Sequence, residues 1–232
     1  MAPIHDAARR ANVETLRRLL AAGESPDALD NGHIGLTPLQ NLCDTTELVS
    51  ERATCAACFE LLRDAGANLE ARSSPSANTA LHYAASSGSF GLLSLLVEAG
   101  VNVNVINNDG CTPLHKVANL YAGSTIVDCA DLLLKAGADR SVNVEAHGWT
   151  PLDLAINRGH RRMWPLFLRA GAEINIMSYN YGPYLSQVQR AGGFKKYEQA
   201  HLARITAILE TPLLPPELVR KILEFWLHAG YY

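Results

Sequence analysis

Apolar residues recur along most of this chain in short bursts at helical spacing, each burst punctuated by glycine. The stretch from Thr79 to Gly110 displays the whole cycle. Thr79 stands where a side-chain oxygen can cap a helix, and Ala80 takes the first-turn position that proline fills in neighbouring cycles. Ala84 and Ala85 are small enough for a short inner helix to lie close to its neighbours, and Gly88 breaks it. Phe90 to Glu98 then carries Leu92, Leu93, Leu95 and Leu96 toward one side, which predicts a longer outer helix with a buried face. Gly100 ends that helix, where a left-handed residue is needed. Val101 to Val105 runs outward, and Asn108-Asp109-Gly110 supplies the turn of a projecting finger.

The cycle repeats. Ala2-Pro3-Ile4-His5, Thr37-Pro38-Leu39-Gln40, Thr79-Ala80-Leu81-His82, Thr112-Pro113-Leu114-His115 and Thr150-Pro151-Leu152-Asp153 are each followed by a Leu-rich stretch closing on Gly23, Gly66, Gly100, Gly137 or Gly171. From the second residue of each element to its glycine the distances are 20, 28, 20, 24 and 20 residues. Self-similarity at a fixed period is the mark of a solenoid, in which one helical pair buries its apolar face against the next. These motifs resemble those of the ankyrin-repeat family over at least residues 1–175. The resemblance implies an all-α solenoid of helix-turn-helix repeats with short projecting hairpin fingers, and it makes His5, His82 and His115 structural histidines, one per repeat.

The expected repeats are about 1–36, 37–78, 79–111, 112–149 and 150–182, followed by a degenerate sixth at 183–210. In the sixth, Pro183 precedes Gly192 by nine residues, the offset of Thr79 from Gly88, and Phe194 to Leu209 reads as its outer helix. A terminal repeat needs one polar flank. Lys195, Lys196, Glu198 and Gln199 are the expected source at one end, and Arg9, Arg10, Arg17 and Arg18 at the other. The second repeat is eight residues longer than the base unit and the fourth is four longer. Those insertions, at about Thr45–Ala53 and Tyr121–Thr125, are expected to lengthen the connection between the two helices of each pair. They are either functional or tolerated drift.

Composition fits helices packed closely: 33 Leu and 32 Ala, against 7% aromatic and 19% charged residues. Apolar content of 48% is too high for a disordered chain. No apolar run reaches the roughly 18 residues of a membrane span, and the first residues lack the pattern of a secretory leader. No membrane insertion is expected. The net charge of -3, without a basic block, argues against a nucleic-acid partner. Five irregularly spaced cysteines read as free thiols in a reducing, intracellular setting, cytoplasmic or nuclear. Cys55-Ala-Ala-Cys58 has redox or metal spacing, but no second such pair follows, and Cys58 stands at core-facing spacing to Leu61 and Leu62. No nucleophile elbow, phosphate loop, dinucleotide fingerprint or paired metal histidines occur. His160, Arg161 and Arg162 read as structural or surface groups. No cofactor and no catalysis are expected.

After Leu209 the period stops. Thr211 to Pro216 is a stiff Pro-rich connector, and Leu218, Val219, Ile222, Leu223, Phe225, Trp226 and Leu227 give the next stretch an amphipathic helical pattern. Leu214-Pro215-Pro216-Glu217-Leu218 followed by Ile222-Leu223 resembles the first helix of an F-box, and its place in the chain also suits a SOCS box. That resemblance implies a ubiquitin-ligase adaptor docking a Skp-type or elongin component through Leu214, Pro215, Leu218, Ile222, Phe225 and Trp226. Packing as a C-terminal cap is the alternative. The repeats themselves imply a non-catalytic scaffold that binds another protein through finger tips and the concave inner-helix surface. Candidate contacts are Asn31, His33, Arg72, Asn107, Asn108, Asp109, His147, Trp149, Tyr179 and Tyr181, with Trp149 and the tyrosines as anchors.

Overall fold

The computed structural model describes residues 3–30, 32, 35–45, 52–121, 123, 125–138, 142–174 and 183–209, together with 217 and 221. Its elements are helices. The pairs in chain order are α1 (Pro3–Arg9) with α2 (Val13–Ala21), α3 (Pro38–Cys43) with α4 (Arg52–Asp64), α5 (Ala80–Ser87) with α6 (Phe90–Glu98), and α7 (Pro113–Ala118) with α8 (Ile126–Lys135). Then come α9 (Pro151–Asn157), a 3-10 turn at Arg161–Met163 leading into α10 (Trp164–Arg169), and the sixth pair α11 (Pro183–Arg190) and α12 (Phe194–Leu209). No strand occurs among the described residues; Ala146 and Trp149 form an isolated bridge.

Two layers result. The inner helices α1, α3, α5, α7 and α9 stack in succession, and α2, α4, α6 and α8 stack behind them. The periodic positions explain why. In the inner layer Ile4, Leu39, Leu81, Leu114 and Leu152, each one residue past the second element residue, are no more than 1% exposed. In the outer layer the buried positions lie eight, seven and four residues before the closing glycine: Cys58, Phe59 and Leu62; Leu92, Leu93 and Leu96; Cys129, Ala130 and Leu133; Met163, Trp164 and Phe167. Each large side chain buried this way contributes about 1.5–3 kcal/mol. The closing glycines Gly23, Gly66, Gly100, Gly137 and Gly171 all have φ between 80° and 94°, which a side chain would strain.

That register also settles the thiols. Cys58 and Cys129 occupy the place of Leu92 and Met163, and Cys43 occupies the place of Ala85 and Ala118. All five cysteines are free. Burial pushes the Cys58 and Cys129 thiols up to about 12 and raises Cys43 as well. A redox or metal pair needs a lowered thiol pKa; Cys55-Ala-Ala-Cys58 is a stretch of helical core.

The insertions differ from each other. In the fourth repeat the extra residues fall between α7 and α8, as their position predicts. In the second, part of the extra length enters the outer helix: α4 has 13 residues against 9 in α6, so Ala53 is helical rather than connecting.

Candidate protein-binding surface

Each of the first four fingers is anchored at its root by the third residue of the inner helix that precedes it in the stack. Thr37, Thr112 and Thr150 cap their helices, their side-chain oxygens accepting from the backbone N–H of Gln40, His115 and Asp153. The third residue reciprocates. Nδ1 of His82 accepts from the Thr79 N–H at 3.2 Å, and Nδ1 of His115 from that of Thr112 at 3.1 Å. A carbonyl can only accept, so the proton sits on the other ring nitrogen. Nε2 donates to Cys111 from His82 at 3.0 Å, to Trp149 from His115 at 3.2 Å, and to Ala28 from His5 at 2.8 Å. Gln40 does the same work with an amide, accepting from the Thr37 N–H and donating to the Ala71 and Asn78 carbonyls at 2.7 and 3.2 Å. Burial lowers the His82 pKa to about 4 and lowers that of His115, so both imidazoles are neutral at pH 7.

A second row of bonds joins the finger bases. Asp27 accepts from the Asn68 N–H at 2.8 Å and Glu70 from the Asn102 N–H at 2.7 Å. Asn104 donates to the Gly137 carbonyl at 2.8 Å and Asn143 to that of Gly171 at 3.0 Å. These rows hold the fingers in fixed register, which is the preorganisation a binding surface requires.

The sequence-derived contact residues divide on this frame. Arg72, Asn108, Asp109 and His147 are exposed, and Trp149 is half-buried. Arg72 donates to the Ile106 carbonyl at 3.1 Å, bridging adjacent fingers. Asn108 likewise reaches back, its amide donating to the Pro75 carbonyl. Asn107 is a correction. It is only 5% exposed, its Oδ1 accepting from the Asp109 and Cys111 N–H groups and its Nδ2 donating to Asn78, so it shapes the turn and is closed to a partner. Asn31, His33, Tyr179 and Tyr181, and all six docking-helix residues Leu214, Pro215, Leu218, Ile222, Phe225 and Trp226, lie outside the described residues. His147 and Gly148 (φ 53° and 76°) make the tight turn between Ala146 and Trp149, which exchange two backbone bonds of 2.9 and 3.0 Å.

Sequence reasoning missed two residues. Leu29 is 63% exposed and Ile106 44% exposed. Each stands six residues after its closing glycine, Gly23 or Gly100, and Arg72 stands at the same offset from Gly66. Reading across the repeats at that offset, rather than along the chain, was the signal that would have found them.

At the sixth pair the bonding changes. Asp153 caps Thr150 with its carboxylate, accepting from the Thr150 N–H and hydroxyl at 2.9 and 2.8 Å. A carboxylate has nothing to donate onward. Here the contact is made by rings and charge: Trp164 lies 6.3 Å from Tyr184, Tyr184 meets Tyr197 edge-on at 5.6 Å, and Tyr197 stacks on His201 at 5.7 Å. Arg169 donates to Glu198 at 2.9 and 3.0 Å. Glu198 therefore packs toward the fifth repeat rather than forming part of a polar flank, whereas Lys195, Lys196 and Gln199 are exposed.

No described helix is long and apolar enough to cross a membrane, and no metal-binding group of side chains occurs among the described residues. Comparison with known proteins points the same way as the repeat register. The family model for ankyrin repeats (3 copies) matches residues 4–107, 47–140 and 92–178. An ankyrin repeat protein of Fowlpox virus (strain NVSL) is 34% identical over 154 residues, covering 65% of this chain and 42% of the viral protein. The human ankyrin repeat and SOCS box protein 16 is 32% identical over 147 residues, 63% of this chain and 30% of its own length. The human transient receptor potential cation channel subfamily A member 1 is 25% identical over 185 residues, 75% of this chain and 15% of the channel. The chain thus spans less than half the length of each of these relatives. With its repeats matched by the family model from residue 4 to residue 178, the chain belongs to the ankyrin-repeat family, whose repeats are protein–protein interaction scaffolds.

Proposed function

We propose that this protein binds a partner protein through the finger tips and the concave face of the inner helices, without catalysis of its own. One observation carries the reading. Leu29, Arg72 and Ile106 present large exposed side chains at the same offset in three consecutive fingers, forming one mixed apolar and basic edge on a rigid frame. Isolated apolar side chains are ordinary on a surface, but a register of them along a preorganised edge marks an interaction site. Asn108, Asp109, His147 and Trp149 extend it. The five free thiols support an intracellular setting, cytoplasmic or nuclear. Affinity purification of the full chain beside a Leu29→Glu/Ile106→Glu variant tests the reading: partners captured by the wild type are lost by the variant. Equal capture by both would remove the finger edge from consideration.

A second reading is a substrate-recognition adaptor of a cullin-RING ubiquitin ligase. The Leu214-to-Phe225 motif favours it, as does the likeness to a human protein whose name includes a SOCS box. In this reading residues 1–210 hold the substrate, and 211–232 docks a Skp-type or elongin component. Copurification of that component, abolished by Ile222→Glu or Phe225→Glu, is the expected result. Its absence from wild-type preparations would leave only the scaffold.

A further inference from the structure

Tyr121 and Gly123, in the longer connection of the fourth repeat, border a second surface, at the C-terminal ends of the inner helices and so away from the fingers. Tyr121, in the stretch between α7 and α8, is 82% exposed. The Arg158 guanidinium lies over its ring, 3.9 Å from the centroid, and is held there by bonds from Nε and Nη2 to Asn119 Oδ1 at 3.0 and 2.7 Å. His160 Nε2 donates to the Leu120 carbonyl at 2.6 Å, fastening the fifth repeat to the same stretch. With Arg161 and Arg162 these groups line an open trough of about 380 Å3. No carboxylate lines it among the described residues. The Arg161 and Arg162 side chains are exposed and engage in no ion pair or hydrogen bond among the described residues. In a chain of net charge -3, three guanidinium groups around one trough invert the local sign.

We propose that this trough docks an extended acidic segment of a partner protein, separate from whatever the fingers hold. Guanidinium groups match carboxylates with two parallel N–H donors. Arg158 is already immobilised, so it engages a carboxylate with little further loss of rotamer freedom. At about 380 Å3 the trough is larger than a single oxyanion needs, and the exposed Tyr121 ring on its rim gives an extended peptide an aromatic surface to lie against. The exposed Arg161 and Arg162 side chains can close on glutamate or aspartate side chains spaced along that peptide.

The test is fluorescence anisotropy of a labelled peptide alternating glutamate and serine, titrated with the full chain, beside a peptide with lysine in place of glutamate. Saturable binding of the acidic peptide alone is expected, with affinity falling about tenfold in Arg161→Glu/Arg162→Glu, as loss of two close charge pairs implies. Tyr121→Ala, a change at a mostly exposed side chain, weakens it several-fold. Arg17→Glu/Arg18→Glu, on the exposed side of α2, leaves it unchanged. Retention of affinity in the trough variant, equal loss in the α2 variant, or no saturable binding overturns the proposal. So does displacement of the peptide by inorganic phosphate at fixed ionic strength, which would mark a simple oxyanion site.

Discussion

The Nε2 of His82 lies 3.0 Å from the carbonyl oxygen of Cys111, the residue just before the cap of the next repeat. One imidazole thus closes its own helix through Nδ1 and fastens the neighbouring finger through Nε2. His82→Ala leaves the Thr79 N–H and the Cys111 carbonyl buried without this partner, and is expected to cost about 2–4 kcal/mol. His82→Gln should recover most of that, because Gln40 performs both tasks with an amide one repeat earlier. Urea unfolding followed by circular dichroism distinguishes the three proteins; a glutamine variant as weak as the alanine variant would refute the equivalence.

Acid should loosen the same device. The unfolded chain titrates its histidines near 6.5, while folded His82 titrates at about 4 and His115 below its ordinary value. Between those values the unfolded state binds more protons, so stability falls as pH drops from about 6.5 toward 4. Above 6.5 these two residues impose no pH dependence. Urea midpoints measured at pH 7 and pH 5 should differ, and His82→Gln should shrink the difference. An unchanged difference in that variant would place the acid sensitivity elsewhere.

The turn at His147 and Gly148 has positive φ at both central residues, the mirror-image geometry that matches strand twist in a two-residue hairpin. Gly148→Val should therefore destabilise by about 1 kcal/mol or more, while His147→Asn is neutral or stabilising because asparagine tolerates the left-handed region. Thermal melting checks both. A tolerated valine would show that the turn adopts another conformation in solution.

Thiol chemistry gives a direct view of packing. Cys58 and Cys129, with pKa pushed up to about 12 by burial, should react with a disulfide reagent at pH 8 only after unfolding, while half-buried Cys111 reacts earlier. Mass spectrometry of the labelled peptides gives the order. Fast labelling of Cys58 in the native protein would contradict its place in the core.

How far the sequence reaches depends on the range of the interaction. Phe90 to Glu98 is helical with the boundaries its pattern predicts, and α11 and α12 flank the Gly192-Gly193 break where expected, because caps, glycines and apolar spacing act within one or two turns. What crosses from one repeat to the next is not written in local order. Asn107 looks like an exposed turn residue beside Asn108; its Oδ1 closes the turn locally, while its Nδ2 is taken up by Asn78 of the stacked neighbour. Glu198 looks like surface charge until Arg169 of the preceding pair is placed beside it. Arg158 and Tyr121 lie 37 residues apart in the chain and meet only through stacking.

The substitution of a carboxylate at Asp153 for the histidine of the two repeats before it has a consequence for how this solenoid comes apart. Neutral imidazole and amide bridges inside the stack are indifferent to dissolved ions, whereas the half-exposed Arg169–Glu198 pair at the last described junction is screened by them. Repeat arrays open seam by seam. Ionic strength therefore acts as a coordinate along the molecule: added salt should fray α11 and α12 while the imidazole-bonded repeats stay closed, and hydrogen exchange would show the rod shortening from one end.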